Sequence, residues 1–200
     1  MKPCDWFGSV KSGAGILLLL IFVAICQAQD FLASQAAMMT ALGETPKLTT
    51  CSQDGAFFAT AMASGRINYW RAEDRVILRT LHQCHPRAMA FSPDGNFLAI
   101  AGGSNGCPAR LKVWRLTAGT VDSQIETELG SVPIVNFSSD GRLLVSTGED
   151  FRINVWELPS GTLISSNSTS GLIAHLDFEG GNHVVVVKRN NGVIERFPVP

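Results

Sequence analysis

The side chains of this 200-residue chain with the greatest capacity for chemistry are its four histidines and five cysteines. They are densest at His82, Cys84 and His85, with Cys107 further along the chain. Imidazole and thiolate are the ligands of structural zinc sites, and two of each would complete a tetrahedral set. The H-x-C-H spacing lacks the regular C-x2-C pattern of such sites, so the sequence predicts no metal here.

Catalytic signatures are otherwise missing from the sequence. It contains no G-x-S-x-G nucleophile elbow, and no glycine-rich phosphate loop that leads into a helix. Sixteen basic and seventeen acidic side chains leave a formal net charge of −1, without a basic cluster of the kind that follows nucleic-acid phosphates. We therefore predict a protein that is not an enzyme, needs no cofactor and binds no nucleic acid.

The N-terminal segment is typical of an export signal. Lys2 and Lys11 precede Gly13–Cys26, a run without charges or amides. This run is short for a transmembrane helix but fits the apolar core of a signal peptide. We predict a signal peptide over residues 1–28, with cleavage after Ala28, and a periplasmic or secreted protein.

Two alternatives to cleavage are open, and either would attach the protein to a membrane. Cys26 could be lipidated, although Ile25 is bulky where a lipoprotein signal has a small residue. Residues 13–28 could also be retained as an uncleaved anchor. Cleavage would leave Cys51, Cys84 and Cys107, an odd number, in an oxidising compartment.

A repeat of about 40 residues fills the rest of the chain. Turn glycines recur at Gly55, Gly95, Gly141 and Gly181, and closing aromatics recur at Trp70, Trp114, Trp156 and Phe197. In each repeat, a short apolar strand ends in a tight turn, and a second apolar strand and an alternating strand follow. With a weaker outer strand, this gives four antiparallel strands, which is the blade of a β-propeller.

These repeats resemble the WD-repeat β-propeller family. The resemblance rests on two Ser-x-Asp-Gly turns and on two segments that end the third strand, namely Ser92–Gly95, Ser138–Gly141, Val113–Leu116 and Val155–Leu158. The sequence departs from the family in that Arg71, Arg115 and Glu157 follow the Trp, where the family usually has Asp. Only Asp150 and His82 approximate the turn Asp and loop His of the family's hydrogen-bond set.

The resemblance implies an all-β fold of about four propeller blades, a partial or small ring. We expect a linker or closing segment over residues 29–46 and blades over 47–85, 86–131, 132–170 and 171–200. Four blades could close as a ring, pair with a second copy, pair with a different chain, or be a vestigial fragment. Residues 35–42 could supply a closing strand, although their composition favours a helix.

Family resemblance also implies a non-enzymatic scaffold that binds a protein or peptide, which could be a second copy. We place the contact on the loop face, defined as the loops before each blade and the turns before its third strand. The candidate residues are His82, His85, Arg87, Arg66, Arg110, Phe151, Arg152 and Asn191. The alternative function is a propeller hydrolase or dehydrogenase, which would need carboxylates or metal ligands at the ring centre.

The propeller interpretation also predicts that two cysteines lie close together. It places Cys84 in the loop before the second blade and Cys107 in a turn of the same blade, on the same face. The two thiols could then form a disulfide or remain unpaired in loops. Cys51 falls at an apolar position of a first strand, where a buried, inert thiol is expected.

Overall fold

The computed structural model describes residues 46–104, 106–126, 134–148 and 150–199. The predicted signal peptide, its cleavage point and the segment 35–42 lie outside these residues. The described part contains only strands, turns and loops, so the all-β prediction is confirmed. In chain order the strands are β1 Pro46–Cys51, β2 Phe57–Met62, β3 Arg66–Arg71, β4 Ile77–His82, β5 Pro86–Phe91, β6 Phe97–Ser104, β7 Cys107–Arg115, β8 Thr120–Glu126, β9 Ile134–Phe137, β10 Leu143–Thr147, β11 Arg152–Glu157, β12 Thr162–Ser168, β13 Ile173–Glu179, β14 Val184–Arg189 and β15 Ile194–Pro198.

The strands form four separate sheets, and within each sheet every strand pairs with the next one along the chain. Sheets 1, 2 and 3 contain β1–β4, β5–β8 and β9–β12, and sheet 4 contains the three strands β13–β15. The innermost strands β5, β9 and β13 contact one another in sequence order. The sheets are therefore stacked side by side, as propeller blades are.

The repeated Ser-x-Asp-Gly sequence builds the same turn in sheets 1, 2 and 3. In sheet 3, the Ser138 hydroxyl donates to Asp140 Oδ1 over 2.6 Å, and the Leu143 amide donates to Ser138 Oγ over 2.8 Å. Gly141 has a φ of 72°, a left-handed conformation that glycine adopts without a steric cost. Sheet 4 instead turns through Gly180, Gly181 and Asn182, which all have positive φ.

Consecutive sheets are joined by apolar cores, to which the closing aromatic residues of sheets 2, 3 and 4 contribute. Trp156 packs with Val113 between sheets 2 and 3, and Phe197 packs against Val155 and Val187 between sheets 3 and 4. The core between sheets 1 and 2 contains Ala59, Ala61, Ile67, Tyr69, Leu81, Leu98, Ile100 and Leu116. Burial of each large aliphatic side chain in these cores contributes about 1.5–3 kcal/mol to the free energy of folding.

Polar bonds also connect neighbouring sheets. Arg79, on the outer strand of sheet 1, donates to the backbone oxygens of Leu116 and Thr117 in sheet 2, over 2.8 and 2.6 Å. The Asn136 amide of sheet 3 donates to the Leu176 oxygen of sheet 4 over 2.6 Å. These bonds fix the register of one sheet against the next, which apolar contacts alone do not specify.

Two of the three repeat tryptophans have a buried hydrogen-bond acceptor on the adjacent strand. Trp70 Nε1 donates to Thr60 Oγ1 and Trp156 Nε1 to Ser146 Oγ, each over 2.9 Å. In sheet 2 the corresponding position is Ile100, and Trp114 Nε1 is buried without a hydrogen-bond partner among the described residues.

This difference predicts that replacing tryptophan by phenylalanine lowers the stability of the fold by different amounts at positions 156 and 114. Trp156→Phe loses a buried hydrogen bond and leaves Ser146 unsatisfied, whereas Trp114→Phe removes a donor that has no acceptor. We expect Trp156→Phe to lower the free energy of unfolding by about 1 kcal/mol more than Trp114→Phe does. Urea denaturation followed by circular dichroism measures both values, and equal costs would contradict the assignment.

The turn in sheet 3 predicts a dependence of stability on pH. The hydrogen bond from Ser138 and that from the Arg142 amide lower the pKa of the Asp140 carboxyl. A lowered folded-state pKa means that this stabilisation is present above the unfolded pKa of about 3.9 and is lost as pH falls through the folded value. Asp140→Asn should therefore destabilise the protein at neutral pH and have progressively less effect in acid. Denaturation at a series of pH values tests this, and a cost that does not change with pH would refute it.

Candidate functional site

The structure brings the predicted contact residues to one edge of the stacked sheets. Arg66 begins β3, His82 ends β4, and Phe151 immediately precedes β11. Because the sheets are antiparallel and stacked in the same sense, the corresponding loops of all four sheets lie on this loop face. Most of the predicted side chains there are exposed, namely those of His82, His85, Arg87, Phe151, Arg152 and Asn191, whereas Arg66 and Arg110 are half-buried.

An exposed apolar patch lies on the loop face of sheets 3 and 4. We define it by four residues, Phe151, Leu172, Val193 and Ile194, whose exposed fractions are 38, 66, 45 and 52%. Sequence reasoning identified Phe151 and missed the other three. Leu172 and Val193 each follow a turn glycine, and this placement of large apolar residues beside turns is the signal that could have found them.

Backbone hydrogen bonds tie the loops of the patch together. The Thr169 amide donates to the Phe151 oxygen, and the Asn190 amide donates to the Leu172 oxygen, each over 3.0 Å. The Arg189 amide donates to the Val193 oxygen over 2.9 Å. The three loops that carry the patch are therefore held in one arrangement by their own backbones.

The loops also rest on a buried polar network that sequence reasoning did not anticipate. Arg189 Nε donates to Thr169 Oγ1 over 2.9 Å, and its guanidinium forms an ion pair with Glu195. The Thr169 hydroxyl donates to the same carboxylate. The Arg189 and Glu195 side chains are only 14 and 28% exposed, so this is a structural pair whose charges are largely withdrawn from solvent.

Phe151 has a backbone conformation that is unusual for its residue type. Its φ is 60°, in the left-handed region that costs a bulky residue roughly 1–2 kcal/mol relative to glycine. The residue closes a turn in which its amide donates to the Gly148 oxygen over 3.2 Å. Strain held at an exposed aromatic side chain is typical of functional positions rather than of packing.

Beside Phe151, the exposed side chain of Arg152 forms an ion pair with the half-buried Asp150. Arg152 Nε lies 3.2 Å from Asp150 Oδ2. Asp150 matches the turn aspartate of the resembled family, and here its described partners are the side chain and amide of Arg152. The pair therefore orders the turn before β11 locally.

The cysteine and histidine cluster lies on the loop face of sheet 2. The sulfurs of Cys84 and Cys107 are bonded in the structure, with Cα atoms 6.3 Å apart. The ligand atoms of Cys84, His85 and Cys107 lie within 4.8 Å of one another, a group that does not include His82. Cys51, expected as a buried inert thiol, is instead half-buried and disulfide-bonded, so that expectation is wrong.

A cavity of about 330 Å³ lies among the innermost strands, toward the opposite face. Every sheet contributes to its lining, which consists of Cys51, Gln53, Phe91, Ser92, Pro93, Asn136, Phe137, Ser139 and Asp177. Asp177 is the single carboxylate in this lining, and no histidine belongs to it. The carboxylate pair or metal-ligand set that a propeller enzyme would need is therefore not found in this cavity.

Within the described ranges, no helix is long and apolar enough to cross a membrane.

A family model described as "WD domain, G-beta repeat" matches residues 75–115 and 128–157. The first match begins just before β4, the outer strand of sheet 1, and ends with β7 of sheet 2. The first matched segment is thus offset from a sheet and covalently links sheet 1 to sheet 2, whereas the second contains β9, β10 and β11 of sheet 3.

Several curated proteins are similar to this chain at low identity. Pre-rRNA-processing protein IPI3 of Mycosarcoma maydis is 25% identical over 171 residues, which cover 80% of this chain and 28% of that protein. The mouse target of rapamycin complex subunit LST8 is 28% identical over 57% of this chain and 35% of its own length. Transcription initiation factor TFIID subunit 5 of Caenorhabditis elegans is 26% identical over 74% of this chain and 22% of its own length.

The chain therefore spans about a quarter to a third of the length of these three relatives. The two matched segments coincide with strands of sheets 1, 2 and 3, and with the repeated turns and closing tryptophans. These segments are similar to WD repeats, and the stacked antiparallel sheets have the architecture of β-propeller blades.

Proposed function

We propose that this chain is a non-enzymatic interaction scaffold that binds a protein or peptide through the loop face of sheets 3 and 4. Two of the similar proteins are named as subunits, one of the target of rapamycin complex and one of a transcription initiation factor. The shared repeats support a role of the same general kind, as a part of a protein assembly. The low identity and partial coverage leave the partner to be found from this chain's own surface.

The apolar patch of Phe151, Leu172, Val193 and Ile194 is the observation that carries the proposal. Phe151, Leu172 and Val193 come from three different loops that hydrogen bonds hold together, and Ile194 begins β15 next to Val193. The patch is therefore a preformed surface rather than a set of scattered exposed residues. Aromatic and aliphatic side chains on a fixed backbone lose little conformational entropy on binding. Phe151 is the natural anchor, because the fold holds it outward in a strained conformation.

Export is a second part of the proposal, and it rests on residues 1–28. A basic start, a short apolar run and a small residue at the exit favour cleavage after Ala28. A secreted or periplasmic location would suit a disulfide between Cys84 and Cys107.

We further propose that the partner is a different protein rather than a second copy stacked on sheet 4. Val155 of sheet 3 faces sheet 4 in an apolar core, and Arg196 holds the corresponding position of sheet 4. Arg196 Nε donates to Glu179 Oε2 over 3.0 Å, and both side chains are more than half exposed. Burying this pair against another blade would cost several kcal/mol in desolvation.

The charged outer surface of sheet 4 predicts that the protein does not form a head-to-tail dimer. Light scattering after gel filtration should give the mass of one chain over a wide range of concentration. A discrete dimer would overturn this part of the proposal. The variant Arg196→Asp, which places two like charges together, would then show whether sheet 4 lies in that dimer.

Substitutions in the patch should remove partner binding without unfolding the blades. We expect Leu172→Ser to weaken binding by at least about tenfold, the loss of roughly 1.4 kcal/mol that burying one large apolar side chain supplies. Phe151→Gly should also weaken binding, and it should keep or raise the melting temperature because glycine relieves the left-handed strain. Thermal denaturation of the purified variants measures the stability.

Leu163→Ser is the matched control, because Leu163 is 47% exposed on β12, outside the patch. Binding is measured by photo-crosslinking in extracts of the source cells, with a benzophenone amino acid at position 193, beside the substituted residues. A crosslinked protein that persists in the Leu163→Ser protein but disappears with Leu172→Ser would support the proposal. Crosslinks of equal yield in the Leu172→Ser protein, the Leu163→Ser protein and the protein without either substitution would refute it.

A further inference from the structure

We infer that Cys84, His85 and Cys107 form a zinc site when the bond between the two cysteines is reduced. Two thiolates and one imidazole are a ligand set that binds Zn²⁺ in proteins, with the fourth position open to water. In the structure these three donors lie within 4.8 Å of one another. The cluster would then have two states, a disulfide when oxidised and a metal site when reduced.

The backbone holds the three residues together independently of the bond between the sulfurs. Cys84 and His85 form the connection between β4 and β5, and Cys107 begins β7, where it pairs with Ser104 across the hairpin. The Gly103 amide donates to the His85 oxygen over 3.2 Å, which links the two segments. Reduction of the disulfide leaves this link intact.

Gly102 shows how closely the two segments approach each other. A Cβ atom built at Gly102 would lie 2.7 Å from the backbone oxygens of both Cys84 and His85. Any side chain at this position would therefore push the loop away from β6. The absence of a side chain at Gly102 permits the close approach that brings His85 to the cysteines.

His85 is placed by a turn that few residue types adopt. Its φ is 44°, a left-handed value that is uncommon outside glycine, asparagine, aspartate and histidine. This turn separates the direction of His85 from that of His82, which lies on β4 outside the cluster. The H-x-C-H spacing is irregular for zinc because the third ligand, Cys107, comes from a different hairpin.

The dimensions of the cluster suit both states. The Cα separation of 6.3 Å is toward the long end of the range for disulfides. With zinc–sulfur bonds of about 2.3 Å, tetrahedral geometry places the sulfurs about 3.8 Å apart, a small displacement for two loop side chains. Cys84 and His85 are exposed and Cys107 is half-buried, so reductant and metal can both reach the cluster.

The exchange between the two states balances in atoms and electrons. A dithiol reductant gives two electrons and two protons to the Cys84–Cys107 bond and becomes a disulfide itself. The two thiols that form lose their protons to solvent as Zn²⁺ binds, because thiolate is the ligand form. Reoxidation by a disulfide reverses the first step and releases the ion.

Cobalt titration of the full-length protein tests the inference. The protein is reduced with a dithiol, freed of reductant under anaerobic conditions and titrated with Co²⁺, which replaces zinc and absorbs through its thiolate bonds. We expect thiolate-to-cobalt absorption in the reduced protein, its loss on addition of Zn²⁺, and no such absorption in the oxidised protein. A reduced protein without this absorption would overturn the inference.

Variants separate a true three-ligand site from metal bound to free thiols elsewhere. Cys84→Ser and Cys107→Ser should each abolish the absorption, and Cys51→Ser should retain it. His85→Asn preserves the left-handed turn and should weaken Co²⁺ binding by at least about tenfold, the minimum loss expected on removing a ligand.

His82→Asn is the matched control, and we expect it to bind Co²⁺ as the unsubstituted protein does. Circular dichroism of each oxidised variant checks that the blades are folded. Equal affinity in His85→Asn and in the unsubstituted protein would exclude the imidazole as a ligand and would refute the site as described.

Discussion

The burial of one sheet face against the next is the interaction on which the rest of this structure depends. A single antiparallel sheet of three or four strands gains most of its stability from an apolar face that is packed against another element. Here the closing aromatic of sheets 2, 3 and 4 packs against the preceding sheet, as Trp156 does. Loops contribute little to these cores. Their sequences are therefore free to diverge, and the loop face can carry function without weakening the stack.

The same constraint explains why Phe151 can be held in a strained conformation. Ile153 and Val155, two and four residues further on, are fully buried between sheets 3 and 4. Their burial fixes the start of β11, and the turn before it must then pass through a left-handed residue. The free energy of sheet packing offsets the local strain, and the aromatic side chain is directed outward as a result.

The fold could be predicted from sequence because each repeat carries the same pattern of turns and strands independently of the others. The turn glycine precedes the closing tryptophan by 15 residues in sheets 1 and 3 and by 19 in sheet 2, and strand alternation repeats between them. The structure shows why this pattern is reliable: the turn hydrogen bonds of Ser92 and Ser138 are nearly identical in length. Information that is local and repeated survives even where a unit has lost the Trp-Asp ending.

The candidate sites could be predicted only in part, because each combines residues that are distant in sequence. The position of Phe151 in a turn was readable, but Leu172 and Val193 join it only through backbone bonds between loops. The sequence marks both His82 and His85 as loop-face candidates, whereas the structure places only His85 beside the two cysteines. The sequence predicts a buried thiol at Cys51, because alternation marks a position as apolar but does not reveal the disulfide found there.

The two sites use the loop face in physically different ways. The loops of the patch on sheets 3 and 4 lie against the Arg189–Glu195 ion pair. Because this pair is largely buried and hydrogen-bonded, it holds the loops in a rigid arrangement. The cluster on sheet 2 is exposed, and the thiol chemistry of its environment decides its state. A rigid apolar surface suits recognition, whereas an accessible dithiol beside an imidazole suits a response to redox conditions or metal.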